Sequence, residues 1–105
     1  MLNAIRECFK RGRLYYSGHA RVEMELEEFG EIKEDEVTEA VMSGNIIEIY
    51  TNDEPYPSCL IYGRTSLNRP LHTVCAFSAE EDLAIVITAY EPDPTKWIGF
   101  SRRRK

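Results

Sequence analysis

The chain has 105 residues, 43% hydrophobic and 30% charged, with a formal net charge of -5. That length fits one domain with a modest core, and the apolar runs, short and broken by polar residues, exclude a segment able to span a bilayer. From Met1 to Arg13 the charges are scattered and the apolar stretch of a secretion signal is missing, so a cytoplasmic location with no membrane partner is expected.

Leu2 to Arg11 reads as a helix, because Leu2, Ile5 and Phe9 recur at three- and four-residue spacing. Gly12 ends it. Leu14 to Tyr16 is a short extended piece. Ser17 is a good N-cap for a second helix over Gly18 to Phe29. Val22, Leu26 and Phe29 form its apolar row, which is expected to face the core, and Gly30 ends it. A third helix, Lys33 to Ser43, turns Val37, Ala40 and Val41 inward. Glu34, Asp35 and Glu36 crowd its first turn, where the helix dipole favours negative charge. Gly44 and Asn45 close it.

After that the period changes to two. Ile46 to Tyr50, Cys59 to Gly63, Leu71 to Phe77 and Leu83 to Ala89 are rich in strand-forming residues. Their connectors are Asn52 to Pro55, Ser66 to Pro70 and Ser78 to Asp82, short and turn-like, so an antiparallel meander is the simplest topology. Helices come first and strands after. The expected class is therefore α+β, with N-terminal helices packed on a four-stranded, mostly antiparallel C-terminal sheet. Residues 1–101 form the single domain, and the basic tail 102–105 is expected to be disordered.

Charge is unevenly spread. Arg6, Lys10, Arg11 and Arg13 lie at one end, and Arg102, Arg103, Arg104 and Lys105 at the other. The middle is strongly acidic, which repels phosphate backbones. The three cysteines, Cys8, Cys59 and Cys75, are odd in number and widely spaced, which argues against a disulfide framework and a zinc site.

Two histidines carry the candidate chemistry. His19 opens the second helix, with Glu23 four residues on and within reach. The helix dipole disfavours imidazolium and Glu23 favours it, a balance suited to a general acid or base. His72 opens the third long strand, just after Arg69 and Pro70. Pro70 pushes Arg69 into extended backbone. A guanidinium and an imidazole at one strand entrance are the parts for stabilising a phosphorane-like transition state. Tyr90 ends the last strand with a phenol that can donate a proton or hold an oxygen. Trp97 is expected to pin the C-terminal turn onto the core. No phosphate-cradling glycine loop, nucleophile elbow or HExxH is present, so the expected chemistry needs neither metal nor cofactor.

Four segments carry a resemblance. Ser17-Gly18-His19-Ala20-Arg21-Val22-Glu23-Met24, Gly44 to Tyr50, Arg69-Pro70-Leu71-His72-Thr73-Val74, and Tyr90-Glu91-Pro92-Asp93 followed by Trp97 resemble, in order, the motifs of domain of unknown function 4258. The resemblance covers about residues 15 to 98. It implies a compact fold like those of RelE-type and barnase-type ribonucleases. It also implies the role of toxin in a toxin–antitoxin pair, with a small zinc-binding, helix-turn-helix antitoxin as partner and RNA as substrate. The matching positions are His19, Glu23, Arg69, His72 and Tyr90. The acidic middle departs from the basic surface usual in RNA-cleaving toxins.

The expected activity is a metal-independent endoribonuclease. One imidazole would take the 2′-OH proton, the other or Tyr90 would protonate the leaving oxygen, Arg69 would stabilise charge on phosphorus, and Glu23 would orient His19. That chemistry requires the helix start and the strand start to face each other. The alternative is a non-catalytic protein- or RNA-binding domain of the same fold.

Overall fold

The computed structural model describes Met1 to Arg104. Lys105, the last residue of the expected basic tail, lies outside the described residues. The elements are α1 (Leu2–Arg11), β1 (Leu14–Tyr16), α2 (Gly18–Glu25), α3 (Glu34–Ser43), β2 (Asn45–Tyr50), β3 (Ser58–Arg64), β4 (Pro70–Ser78), β5 (Leu83–Tyr90), β6 (Trp97–Ile98) and β7 (Arg102–Arg103). No helix is long and apolar enough to cross a membrane among the described residues.

The class is α+β, and β2 to β5 form the expected antiparallel meander. The main sheet has five strands, in the order β1-β5-β4-β3-β2. The extra strand is the short piece Leu14–Tyr16, which pairs parallel to β5, Leu14 opposite Ala84 and Tyr16 opposite Val86. Three residues are too few for a period of two to stand out, and the partner lies far along the chain. That is why four strands were expected.

One face of the sheet carries α1 and α3. Ile5, Cys8 and Phe9 from α1, and Val37, Ala40 and Val41 from α3, join Cys59, Ile61, Leu71, Cys75, Ala84, Val86 and Ala89 in one buried cluster. All three cysteines are free and buried. The backbone of α3 lies directly on β3. A Cβ placed on Gly63 would come within 1.8 Å of the Ala40 carbonyl oxygen, so only glycine admits this approach. Arg6 ties α1 to the end of α3 by donating to the carbonyls of Val41 and Gly44. At the other end of α1, Arg11 forms a two-pronged pair with Asp82, at 2.7 and 2.9 Å.

Helix α2 departs from expectation. It stops at Glu25, and Val22, Leu26 and Phe29 are 56%, 74% and 46% exposed. The buried positions are Ala20 and Met24. Ser17 explains the rotation. Its Oγ accepts from the Ala20 amide at 3.0 Å and donates to the Ile87 carbonyl at 2.9 Å. The helix start is thereby fixed to the β5 edge, and Ala20 with Met24, four residues apart, is the row that faces inward.

The C-terminus also departs from it. Residues 102–103, expected to be disordered, form β7, with Arg103 opposite Trp97 and Arg102 opposite Ile98. Gly99 and Phe100, with φ of 60° and 63°, make the tight turn between β6 and β7. Arg103 Nε donates to Glu48 Oε2 at 2.7 Å, which ties this hairpin to β2. Trp97, 5% exposed, seats it on the sheet as expected.

Candidate functional site

Strand alternation separates the candidate residues. Leu71, Cys75 and their neighbours on one face of β4 point into the helix-covered core. His72 points to the other face. It lies opposite Tyr62 on β3 and Tyr90 on β5.

His72 is wholly buried. The Trp97, Tyr90 and Tyr62 rings meet it edge-on, with centroids at 4.4, 5.2 and 5.8 Å. Its Nε2 faces the Phe100 carbonyl, which can only accept, so Nε2 carries the proton. In the neutral ring Nδ1 is then bare and accepts from the Tyr90 hydroxyl at 3.1 Å. Burial pushes the His72 imidazole below its ordinary value, against the pull of the Phe100 carbonyl and Glu48. Burial likewise pushes the Tyr90 phenol up. The Tyr90 proton is directed at His72, leaving the phenol oxygen an acceptor toward any ligand.

His19 is the opposite case. Its side chain is 68% exposed, and Nε2 lies 3.2 Å from Glu23 Oε1. Glu23 in turn accepts from the Thr88 hydroxyl on β5. Thr88 and Tyr90 are two residues apart and share a strand face. The polar groups therefore run His19, Glu23, Thr88 at the sheet edge, then Tyr90 and His72 further in. Thr88 was not among the expected site residues. The signal for it was its place two residues before Tyr90 in a period-two strand.

Arg69 lies elsewhere. It precedes β4 on the helix side. Nε donates to Glu91 Oε1 at 2.7 Å, and Nη1 to Glu36 Oε2 at 3.2 Å and the Glu31 carbonyl at 3.0 Å. Nη2 donates to the Gly30 carbonyl at 2.5 Å. The fork is thus filled by two carboxylates and two carbonyls. Its arrangement joins the loop before α3, α3 itself and the end of β5. It does not face His19 or His72, so the helix start and Arg69 do not line one anion-binding surface.

Two clefts, of about 320 and 380 Å³, are lined by none of His19, Glu23, Arg69, His72, Thr88 and Tyr90. The first is lined by Arg21, Met24 and Glu25 on the side of α2 turned from His19 and Glu23. No three His, Cys, Asp or Glu side chains gather as metal ligands among the described residues.

A family model described as Domain of unknown function (DUF4258) matches residues 16–91. No curated protein and no solved structure matches the chain.

Proposed function

The chain belongs to the family described as Domain of unknown function (DUF4258), and from its geometry we propose that it is a metal-independent endoribonuclease. In this reading it is a cytoplasmic toxin of RelE- or barnase-like fold, paired with a small zinc-binding, helix-turn-helix antitoxin. The observation that carries the reading is the solvent-open His19–Glu23 pair, with Nε2 and Oε1 3.2 Å apart. RNA brings its own nucleophile, the 2′-OH, so an acid and a base in reach of one phosphodiester suffice.

Glu23 takes the 2′-OH proton as the 2′ oxygen attacks phosphorus. The bond from phosphorus to the 5′ oxygen breaks, and protonated His19 gives its proton to that oxygen. The products are a 2′,3′-cyclic phosphate and a free 5′-OH. Glu23 is left protonated and His19 neutral, and proton transfer between them resets the pair. Thr88 orients Glu23 through its hydroxyl. Tyr90 offers an acceptor oxygen beside the pair. His72 acts through Tyr90 and the C-terminal hairpin, and Arg69 holds the scaffold.

The test is purified protein with RNA in EDTA. Cleavage to cyclic-phosphate ends is expected, and His19→Ala and Glu23→Gln are each expected to slow it by about 10²–10⁴-fold. No cleavage by the wild type, or undiminished cleavage by His19→Ala, overturns the reading. Arg69 favours a second reading, a binding domain without catalysis. Each of its three nitrogens is engaged, and its charge is paired with Glu36 and Glu91, so it does not supply the cation for a phosphorane. An intact RNA in that assay, with a retained complex, supports this alternative.

A further inference from the structure

The cations of this acidic chain are unequally engaged. Lys10, Arg11, Arg21, Lys33, Arg69 and Arg103 each pair with a carboxylate. Arg6 and Arg13 donate to backbone carbonyls at the α1 end of the molecule. Among the described residues, Arg64, Lys96, Arg102 and Arg104 likewise have no carboxylate partner, although Arg64 donates to the Asn68 carbonyl and Arg104 to that of Pro94. These four lie on or against the β6–β7 hairpin. Arg64 places its guanidinium 5.6 Å from the Phe100 ring centroid and 5.9 Å from that of Tyr62.

The hairpin is held, not loose. Trp97 lies edge-on against His72, and His72 donates to the Phe100 carbonyl. The Arg104 amide donates to the Lys96 carbonyl at 2.9 Å. Arg103, itself 62% exposed, reaches toward β2 to pair with Glu48 and sits over the Trp97 ring at 4.6 Å. Alternation along the extended chain therefore turns Arg102 and Arg104 to the outer face, and both are exposed. Arg104 Nε donates to the Pro94 carbonyl, which steadies the guanidinium while its other donors stay open. Of the nearby carboxylates, Glu48 is paired with Arg103 and Glu91 with Arg69, while Asp93 accepts the Thr95 amide and hydroxyl on one oxygen.

We infer that the outer face of the β6–β7 hairpin, with Lys96, Arg102 and Arg104 beside Arg64, is where single-stranded RNA docks, its phosphates on the guanidiniums and ammonium and its bases against Phe100 and Tyr62. This deepens the endoribonuclease reading and rests on it for the identity of the ligand. Tyr90 links the two regions. It bonds the His72 that anchors the hairpin, and it stands two residues from the Thr88 that bonds Glu23. The hairpin over His72 and the Glu23 that bonds Thr88 thus lie on the same side of the sheet. Guanidiniums held on aromatic faces suit a ligand of alternating phosphates and bases.

The experiment is fluorescence anisotropy with a labelled 20-nucleotide single-stranded RNA over a salt series, in the His19→Ala background so that the probe stays intact. Binding is expected, and Arg102→Glu with Arg104→Glu is expected to weaken it at least tenfold. The double neutral variant, Arg102→Gln with Arg104→Gln, is expected to lower the salt slope by about 1.4, at about 0.7 for each phosphate no longer neutralised. Arg102→Lys with Arg104→Lys is expected to keep the slope. Lys10→Glu, at the opposite basic end, is expected to change affinity less than twofold. Binding unchanged by the double charge reversal, or weakened as much by Lys10→Glu, overturns the inference. Displacement of the RNA by poly-glutamate at equal charge also overturns it, in favour of an acidic protein ligand. The two readings fail separately: RNA held by the hairpin but never cleaved removes the catalysis and keeps the docking face, whereas cleavage unaffected by hairpin reversal does the converse.

Discussion

Arg69 and His72, three residues apart at the start of β4, stand on opposite faces of the sheet. Arg69 is bound to Glu36 on α3 and to Glu91, and His72 is bound to Tyr90 and to the Phe100 carbonyl. An odd separation in extended chain sends side chains to opposite faces. The same step separates Tyr90 from Glu91 across on β5. One residue pair closes the helix face and the other closes the hairpin face, so a shared anion between Arg69 and His72 is ruled out by the backbone.

Removing Arg69 is expected to destabilise the fold. Arg69→Ala leaves Glu36 and Glu91 facing each other without their cation, in a site where the Arg69 side chain is only 18% exposed. The expected cost is about 3 kcal/mol in urea unfolding. Arg69→Lys is expected to recover only part of it, because an ammonium cannot fill the fork geometry. A normally stable Arg69→Ala protein that has lost RNA cleavage would return Arg69 to the reaction.

Acid is expected to weaken the hairpin anchor. Burial holds the His72 imidazole below its ordinary value, while in the unfolded chain it titrates near the usual value of about 6.5. Above that pH both states are neutral, and the contribution is complete. Below it the unfolded chain takes up a proton that the fold refuses, so stability falls as pH drops toward the folded value. Thermal midpoints should decline from pH 7.5 to pH 5. His72→Gln, which keeps a donor and an acceptor, should flatten that decline, and an identical slope in the variant would show that other groups cause it.

Gly63→Ala is expected to be among the most damaging single-methyl additions. The new Cβ would fall 1.8 Å from the Ala40 carbonyl oxygen, on a helix backbone that cannot swing aside like a side-chain tip. Separation of α3 from β3 would cost about 3 kcal/mol or more. Denaturant unfolding of the purified variant measures it, and a loss under about 1 kcal/mol would mean that α3 does not lie so close.

Leu26→Ser and Val41→Ala distinguish the two apolar rows of the helices. Leu26 is 74% exposed and Val41 is fully buried. The first change is expected to stay within about 0.5 kcal/mol of wild type. The second is expected to cost about 2 kcal/mol through lost transfer energy and a cavity. A large loss for Leu26→Ser would mean that α2 turns its Val22–Leu26 row inward.

Much of the secondary structure is legible in the residues. The α1 bounds, the Ser17 cap, the inward row of α3 and the β2–β5 meander follow from periodicity and local turn chemistry. The α2 face does not, because Val22, Leu26 and Phe29 form the more apolar row and yet lie outside. Periodicity identifies a row but not which way a neighbouring element rotates it, and here Ser17 at the β5 edge decides the rotation. The tail escapes the sequence for a related reason. Arg103 looks like part of a solvated basic end until Glu48, from β2, comes beside it.

The candidate site divides along the same line. By itself the sequence determined the local pairings: Glu23 one helical turn from His19, Tyr90 at a strand end, and His72 at a strand start. The tertiary structure alone decided exposure and company. It left His19 open to solvent, enclosed His72 among Tyr62, Tyr90 and Trp97, and filled the fork of Arg69 with carboxylates from α3 and the end of β5. Local spacing sets which neighbours a side chain can reach along its own element. Burial and ion pairing depend on residues distant in the chain, which only folding brings within a few ångströms.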